Sequence, residues 1–496
     1  MRQLTSLDMQ FLALESDRQV GHVGGLAILD ASTAPRGEVG CEEIRTLLRE
    51  RLPLLPPFRW RLAEVPLGLD YPYWIDDEEF DLDYHVRELA LPRPGSDARL
   101  AAQVARIISR PLDRKRPLWE LYVIDGLKSG NTAVLTKIHH ALIDGMSGAE
   151  IMGLLLDLSA DGRKPEELPD PVDVGQLPDN GRGRPGSAEM LARGLMGVPR
   201  YPLRMIRSLP KAVPHIEDTP FGVLPGAGTI GKATDRAASL VFRGRSPRPP
   251  RSGLAAPRTS FNKRITPHRR FSFGQMSLEE VKEVKNAFGS TVNDVVVTIS
   301  AGAVRRWLIA HDELPDEPLV AQVPVSVRTE DQAGTYGNRI LLMSAPLFTN
   351  IADPVERLAA HHEALSDMKE RHKALPAELL QDANHFIPPA VFSRAAQLTF
   401  RLASSRPGRP TWNLVISNVP GPQFPLYMAG AELVANYPVS VITDGMGLNI
   451  TVMSYRGHMD FGLVADRDQM PDLPKLLDWL HDELSSLRKA AGLPTG

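Results

Sequence analysis

The sequence has almost no cysteine and no long apolar run, and each shortage excludes a class of protein. Cys41 is the only cysteine among 496 residues, so neither a disulfide framework nor a cysteine-based zinc site can form within the chain. No uncharged apolar stretch reaches the roughly 20 residues that a transmembrane helix needs. Asp8 interrupts the apolar stretch near the N-terminus, so we expect no signal peptide. These features together predict a cytoplasmic protein that is soluble or peripheral.

The chain also has no large excess of charge of either sign. The chain has 57 Lys and Arg residues against 60 Asp and Glu residues, a formal net charge of −3. A chain so nearly balanced has no overall field that would attract nucleic acid, and we expect no such partner. Its 43% hydrophobic and 24% charged residues are typical of a globular protein. Its length exceeds what one hydrophobic core supports, which predicts two domains.

Changes in composition divide the chain into three regions. Residues 1–165 alternate strand-like and helix-like segments, which predicts an N-terminal mixed α/β domain. Residues 166–259 are rich in Pro, Gly and Arg and are interpreted as a connector. Within it, residues 190–216 form a basic amphipathic segment interrupted by four prolines; it fits either a membrane interface or a linker packed on its own protein. Residues 260–496 resume regular structure and predict a second α/β domain.

Individual elements follow from hydrophobic periodicity and capping residues. Ser277 with Glu280 and Thr291 with Asp294 have the spacing of helix N-terminal capping boxes. Other helices are predicted at 42–51 and 149–158. Strands are predicted at 25–30, 118–124, 132–140, 319–325, 339–345, 414–417, 447–454 and 459–465.

The segment 137–145, KIHHALIDG, contains the residues best suited to chemistry. Side chains alternate along a strand, so His139 and His140 diverge and are badly placed to chelate one metal ion; no metal site is expected. One ring can face a cleft while the other supports the fold. Gly145 permits a tight turn and Asp144 can order that loop. A histidine at a strand end suits general-base catalysis, although the residues alone leave a structural role open.

Several blocks of sequence resemble one family. HHALIDG resembles the HHxxxDG signature of coenzyme A-dependent acyltransferases and peptide-synthetase condensation domains. The preceding segment 111–119, PLDRKRPLW, resembles an element of the bacterial wax ester synthase/diacylglycerol acyltransferase family. Further matches to that family occur at 293–296, 337–340 and 416–422, in the family's order along nearly the whole chain.

This resemblance implies both a fold and a reaction. The fold would be α/β (α+β), with two chloramphenicol-acetyltransferase-like domains, mixed sheets and an active-site channel between them. The reaction would be transfer of a long acyl group from acyl-coenzyme A to diacylglycerol or a fatty alcohol, at a membrane or lipid-droplet surface. Acyl-coenzyme A would be a substrate, so no cofactor is expected. His140 would act as general base without an acyl-enzyme, and no G-x-S-x-G segment suggests a serine nucleophile.

The resemblance also implies supporting roles around His140. Asp144 would order the loop rather than carry a proton, and His139 would support its neighbour. Related condensation domains pair this aspartate with an arginine near the start of the chain. Arg59 matches that arginine and is preferred over Arg61, with a solvated surface position as the alternative for both.

Asn293 is a candidate oxyanion donor, because the family places its Asn-Asp motif opposite the histidine. Asn293 and Asp294 also stand at the predicted start of a helix, where short polar residues act as caps. We therefore predict a capping role for Asp294. The PLDRKRPLW segment is interpreted as architectural, with Asp113 bonding local backbone and Trp119 buried.

Two other functions remain compatible with the sequence. The chain could esterify a different hydroxyl acceptor, such as a polyketide or a glycolipid. It could also be a catalytically inert protein that coats lipid, although the intact His140, Asp144 and Gly145 argue against that.

Overall fold

The computed structural model describes residues 2–4, 6–66, 69–143, 148–163, 189, 256–326, 340–373 and 409–494. Asp144, Gly145 and nearly all of the predicted connector 166–259 lie outside these ranges. We call residues up to 163 the N-terminal half and residues from 256 the C-terminal half.

The N-terminal half alternates strands and helices, as its sequence predicts. In chain order its elements are β1 (Arg2–Gln3), α1 (Ser6–Leu14), β2 (His22–Asp30), α2 (Cys41–Arg51), β3 (Trp60–Ala63), β4 (Tyr73–Asp76), α3 (Leu82–His85), β5 (Val86–Gly95), α4 (Asp97–Ile108), β6 (Trp119–Leu127), β7 (Thr132–His139), α5 (His140–Ile143) and α6 (Gly148–Leu155).

The C-terminal half has longer helices and a second set of strands. Its elements are β8 (Arg269–Ser277), α7 (Leu278–Ala287), α8 (Val292–Ala310), β9 (Val320–Ser326), β10 (Ile340–Pro346), α9 (Pro354–Lys373), β11 (Leu414–Val419), β12 (Tyr427–Met428), β13 (Ala431–Val439), β14 (Leu448–Tyr455), β15 (His458–Asp466) and α10 (Leu473–Ala490). Every strand predicted above overlaps one of the observed strands.

Each half is built on a mixed sheet that has six strands in the described part of the chain. The order of the first is β12-β13-β2-β7-β6-β5, and that of the second is β10-β9-β11-β14-β15-β8. β5 and β6 run parallel in the first sheet, while its longer neighbouring pairs are antiparallel. β11 runs parallel to both β9 and β14 in the second. A smaller antiparallel sheet of the N-terminal half has the order β1-β4-β3. The predicted α/β architecture with mixed sheets is confirmed.

The C-terminal half also supplies strands to the N-terminal sheet. β13 pairs antiparallel with β2, from Glu432 opposite Asp30 to Val439 opposite Gly24. Behind β13 the backbone approaches β15 so closely that a Cβ at Gly462 would lie 1.7 Å from the Pro438 carbonyl oxygen. Residues 427–439 therefore join the two sheets. They lie within the predicted C-terminal domain, 260–496, but their strands belong to the sheet of the N-terminal half.

Helix α8 lies at the centre of the C-terminal core. Its N-terminus is closed by the predicted capping box: Thr291 N–H donates to Asp294 Oδ2 at 2.9 Å and Asp294 N–H donates to Thr291 Oγ1 at 3.2 Å. Residues from Val295 to Val304 are buried, and the helix packs against helices α7, α9 and α10 and strand β11. In the described ranges no single helix is long and apolar enough to cross a bilayer; α7 and α8 meet that test only together, and they are bent by 101° where they meet.

An apolar cluster joins the two halves. It includes Leu26 and Tyr122 of the first sheet together with Phe271 and Val464 of the second, all of them buried. Helix α4 packs against β8 beside it, and Arg269 N–H donates to Ser109 Oγ at 3.1 Å. Burial of this shared apolar surface holds the halves against each other.

Candidate active site

The histidine pair stands where β7 changes into helix α5. The strand ends at His139, one residue earlier than predicted, and the helix begins at His140. His139 N–H donates to the Leu118 carbonyl and His140 N–H donates to the Gly21 carbonyl, each at 2.9 Å. Hydrogen bonds to segments on either side therefore fix the backbone of both histidines.

The His140 ring lies against helix α1. Phe11 stacks on it with ring centroids 4.0 Å apart and planes 10° from parallel. The residue is partly exposed, but its Nδ1 is buried and has no hydrogen-bond partner among the described residues. Burial, helped by the neighbouring His139, lowers the pKa of His140 to about 4. At neutral pH the ring is therefore uncharged and able to accept a proton.

The His139 ring lies in a polar environment instead. Its side chain is 1% exposed, its Nδ1 accepts the Ala141 N–H at 3.1 Å, and its Nε2 lies 3.2 Å from Glu15 Oε1. Because Nδ1 accepts a hydrogen bond, the ring proton is assigned to Nε2, where it faces the carboxylate. The two adjacent histidines thus have different partners and different accessibility.

Glu15, just after α1, is the centre of this polar network. Gly21 N–H donates to its Oε1 at 2.8 Å, while Arg114 donates to its Oε2 from Nε at 3.1 Å and from Nη2 at 2.8 Å. Burial raises the pKa of the Glu15 carboxyl, but His139, Arg114 and the Gly21 N–H outweigh it and lower the pKa to about 2. Gly21 itself has no room for a side chain, since a Cβ would lie 2.7 Å from His139 Nε2.

The residues that precede Gly21 touch the C-terminal half. Gln19 Oε1 accepts the Asp444 N–H at 3.1 Å, and the Arg18 carbonyl accepts a hydrogen bond from Arg269. A small cleft between the halves lies beside them. It is lined by Val20, His22, Ile108, Arg269, Ser440, Val441, Ile442 and Val464. The histidine pair therefore lies next to the contact between the two halves.

Asn293 is the second residue of α8 and is partly buried. In the described part of the chain no hydrogen bond, ion pair or ring contact joins it to His140. Its role as oxyanion donor stays a prediction, which the kcat of Asn293→Ala would test. The capping role of Asp294 is confirmed, and its Oδ2 also lies 2.7 Å from His362 Nδ1.

Arg59 is found on the surface. Its Nη2 lies 3.5 Å from Asp76 Oδ2, and both side chains are about half exposed. Arg61 lies 3.3 Å from the buried Asp77. Since Asp144 is outside the described residues, its pairing with Arg59 stays a prediction, and the partner of Arg59 that the structure does place is Asp76.

Sequence reasoning missed three side chains of this site: Phe11, Glu15 and Arg114. Arg114 belongs to the PLDRKRPLW segment, which was interpreted only as architecture. That interpretation is confirmed for Asp113, which accepts the Lys115 N–H at 2.9 Å, and for the buried Trp119. The segment's resemblance to the family was the one signal that pointed towards Arg114.

Comparison with known proteins connects these features to one family. Residues 4–296 match the model of the wax ester synthase/diacylglycerol acyltransferase catalytic domain, and residues 336–488 match that of the WS/DGAT C-terminal domain. A probable diacylglycerol O-acyltransferase of Mycobacterium tuberculosis is 36% identical over 495 residues, which cover 98% of each chain. An O-acyltransferase of Acinetobacter baylyi is 32% identical over 488 residues, 98% of this chain and 96% of that protein.

Solved structures agree with the sequence comparison. The wax ester synthase/diacylglycerol acyltransferase from Marinobacter aquaeolei VT8 superimposes with a TM-score of 0.68 at 31% identity, covering 99% of this chain and 100% of that one. The starter condensation domain of rhizomide synthetase superimposes with a TM-score of 0.51 at 12% identity, covering 99% and 94%. The second likeness concerns the fold alone. With the two mixed sheets, it confirms the predicted chloramphenicol-acetyltransferase-like fold.

Proposed function

The chain belongs to the wax ester synthase/diacylglycerol acyltransferase family of enzymes, and from that premise we propose that it transfers a long acyl group from acyl-coenzyme A to the hydroxyl of diacylglycerol or a fatty alcohol. The observation that carries the proposal is the environment of His140. Its ring is uncharged at neutral pH, partly exposed and placed beside the contact between the halves, and its backbone N–H is held by the Gly21 carbonyl. The names of the curated relatives and of the Marinobacter enzyme support the substrate class.

In the proposed reaction His140 acts as general base. Because Nδ1 is the buried nitrogen, we assign Nε2 to the acceptor hydroxyl. Nε2 takes the hydroxyl proton as the oxygen attacks the thioester carbonyl; a C–O bond forms, the C–S bond breaks, and the leaving thiolate recovers the proton from the ring. Such proton transfer contributes about 10²–10⁴-fold to rate. The hydroxyl attacks directly, so no acyl-enzyme forms, and acyl-coenzyme A is consumed as a substrate.

The depressed pKa of His140 predicts an unusual pH profile. A base with a pKa of about 4 is protonated, and therefore inactive, only when the pH falls towards that value. We therefore expect no fall in kcat/KM as the pH is lowered from roughly 8 to 5, the range in which an ordinary histidine titrates. Initial rates across that range at constant ionic strength check this. An acid limb centred near 6.5 would contradict the lowered pKa of His140.

The reaction itself is tested with radiolabelled long-chain acyl-coenzyme A. The purified chain is offered vesicles that contain diacylglycerol or hexadecanol, and the products are separated by chromatography. We expect labelled triacylglycerol or wax ester and an equal amount of free coenzyme A. Label only in free fatty acid would contradict the proposal, since water would then be the acyl acceptor. No product from either acceptor would also contradict it and would favour a polyketide or glycolipid hydroxyl.

The same vesicle assay tests whether the enzyme binds a lipid surface. Both substrates carry long apolar chains that partition into lipid, so we propose that the protein operates at a membrane or lipid-droplet surface as a peripheral protein. The basic amphipathic segment 190–216 is the candidate for that contact, and all of it lies outside the described residues. Sedimentation of the protein with diacylglycerol-containing vesicles is expected, and protein that stays in the supernatant during turnover would contradict it.

A further inference from the structure

We propose that Glu15, oriented by Arg114, is the positioning residue of the histidine pair, and that the segment formed by α1 and Glu15 is part of the active site. This inference rests on the proposed role of His140 as base and adds a residue that lies outside the sequence blocks named in the sequence analysis. It is carried by two contacts of one carboxylate, an electrostatic contact with the His139 ring and a hydrogen bond from the Gly21 N–H, and each leads to the backbone around His140.

The first route passes through His139. Glu15 Oε1 lies 3.2 Å from His139 Nε2, an electrostatic contact that favours the ring proton on that nitrogen. Nδ1 is then left with a lone pair and accepts the Ala141 N–H at 3.1 Å. Ala141 lies in the first turn of α5, where backbone N–H groups have no partner inside the helix. Glu15 thus stabilises, through one imidazole, the turn that begins at His140.

The second route passes through Gly21. Its N–H donates to Glu15 Oε1 at 2.8 Å, and its carbonyl accepts the His140 N–H at 2.9 Å. A single peptide segment therefore transmits the position of the carboxylate to the backbone of the base. The lack of space for a Cβ at Gly21 keeps this approach close.

Arg114 binds only one of the two carboxylate oxygens of Glu15. Its Nε and Nη2 both donate to Oε2, and Nη2 also donates to the Leu12 carbonyl at 2.7 Å. Oε1 is thereby left for Gly21 and His139. Phe11, one helical turn before Glu15, stacks on the His140 ring. The α1 segment consequently positions both the ring and the backbone of the base, which gives the arginine of the PLDRKRPLW segment a task in the active site.

The test compares conservative variants at these positions with matched surface variants. Glu15→Gln keeps the shape of the side chain but loses the charge that balances two cationic or N–H donors. We expect its kcat to fall by about 10–100-fold, by analogy with the loss of a partner that orients a metal-ligating histidine. KM for acyl-coenzyme A should not change, because no substrate contact is removed. Asp17→Asn, at an exposed position two residues later, should match the parent in both constants.

Arg114 supplies a second, independent arm. Arg114→Lys keeps the charge but cannot donate from two nitrogens to one oxygen, so its kcat should lie between those of Arg114→Gln and the parent. Lys115→Gln is the control, since Lys115 is exposed and its backbone N–H alone bonds Asp113. Thermal unfolding of every variant is followed by circular dichroism. If Glu15→Gln does not fold, the graded response at Arg114 decides the proposal.

The outcomes separate this inference from the proposed function. A parent-like kcat in Glu15→Gln and Arg114→Gln, or a loss no larger than the loss of folded protein, would overturn the positioning role. If His140→Ala is inactive while the Glu15 and Arg114 variants are normal, the positioning role alone fails. If His140→Ala stays active, the general-base mechanism fails whatever Glu15 does.

Discussion

Replacement of His140 by alanine is expected to abolish ester formation while the protein stays folded and still binds acyl-coenzyme A. The ring's described contact is its stack on Phe11, and its Nδ1 has no described hydrogen-bond partner to lose. The backbone bond from His140 N–H to the Gly21 carbonyl does not depend on the side chain. Loss of the base should lower kcat by about 10²–10⁴-fold. Ester formation is measured with labelled acyl-coenzyme A, and binding by calorimetry without acceptor.

His481→Ala is the matched control, since His481 is an exposed residue of α10 in the other half. It should leave both rate and binding unchanged. Two results would contradict the prediction. An undiminished rate in His140→Ala would remove the general base, and a joint loss of binding and turnover would mean that His140 holds the fold. If the protein were an inert lipid coat, cells with the parent protein and cells with His140→Ala would accumulate the same amount of lipid.

Replacement of Asp157 by alanine is expected to cause the largest loss of stability. Asp157 Oδ1 accepts from Arg51 Nη2 at 2.9 Å and from Arg163 Nε at 2.7 Å, and the side chains of Arg51 and Asp157 are only 2% and 3% exposed. Without the carboxylate a buried guanidinium stays unpaired, which costs about 3–5 kcal/mol. The difference is measured as the change in unfolding free energy by urea titration followed by tryptophan fluorescence.

The effect should also reach the contact between the halves. The Asp157 and Tyr427 backbones exchange two hydrogen bonds, at 2.7 and 2.8 Å, and Tyr427 opens the strand β12 that joins the N-terminal sheet. Asp161→Ala, a change at an exposed carboxylate nearby, should match the parent. A loss below about 1 kcal/mol in Asp157→Ala, the size of an ordinary substitution, would show that Arg51 finds another partner or water.

Much of the local structure follows from the sequence because its causes are local. The capping box of Thr291 and Asp294 forms from residues three apart, so its spacing alone predicted where α8 begins. A short segment rich in apolar and β-branched residues predicted β7, whose 132–139 span differs from the prediction by one residue. The active-site base is a different case. Periodicity placed His140 at a strand end, but it was the resemblance of HHALIDG and the other blocks to a family that assigned its chemistry.

The elements that were not predicted are the helices α1, α3, α4, α5, α9 and α10 and the strands β1, β3, β4, β5, β8, β12 and β13. β13 is instructive, because nothing in its sequence indicates that it belongs to the sheet of the N-terminal half. Its pairing with β2 depends on backbone hydrogen bonds to a partner about four hundred residues away, and backbone groups carry no sequence signal for their partner. The same limit applies to the active site, where Arg114 and Glu15 are separated by 99 residues and by several elements.

The sequence by itself determined the two-domain α/β class, most strand positions, the capped start of α8 and the identity of the histidine motif, since each rests on neighbouring residues or on a contiguous family signature. Only the tertiary structure decided which carboxylate meets His139, which ring covers His140 and which strand closes the N-terminal sheet. Those choices depend on burial and on hydrogen bonds between segments that are distant in the chain. Their energies exist only once the fold has brought the segments into contact.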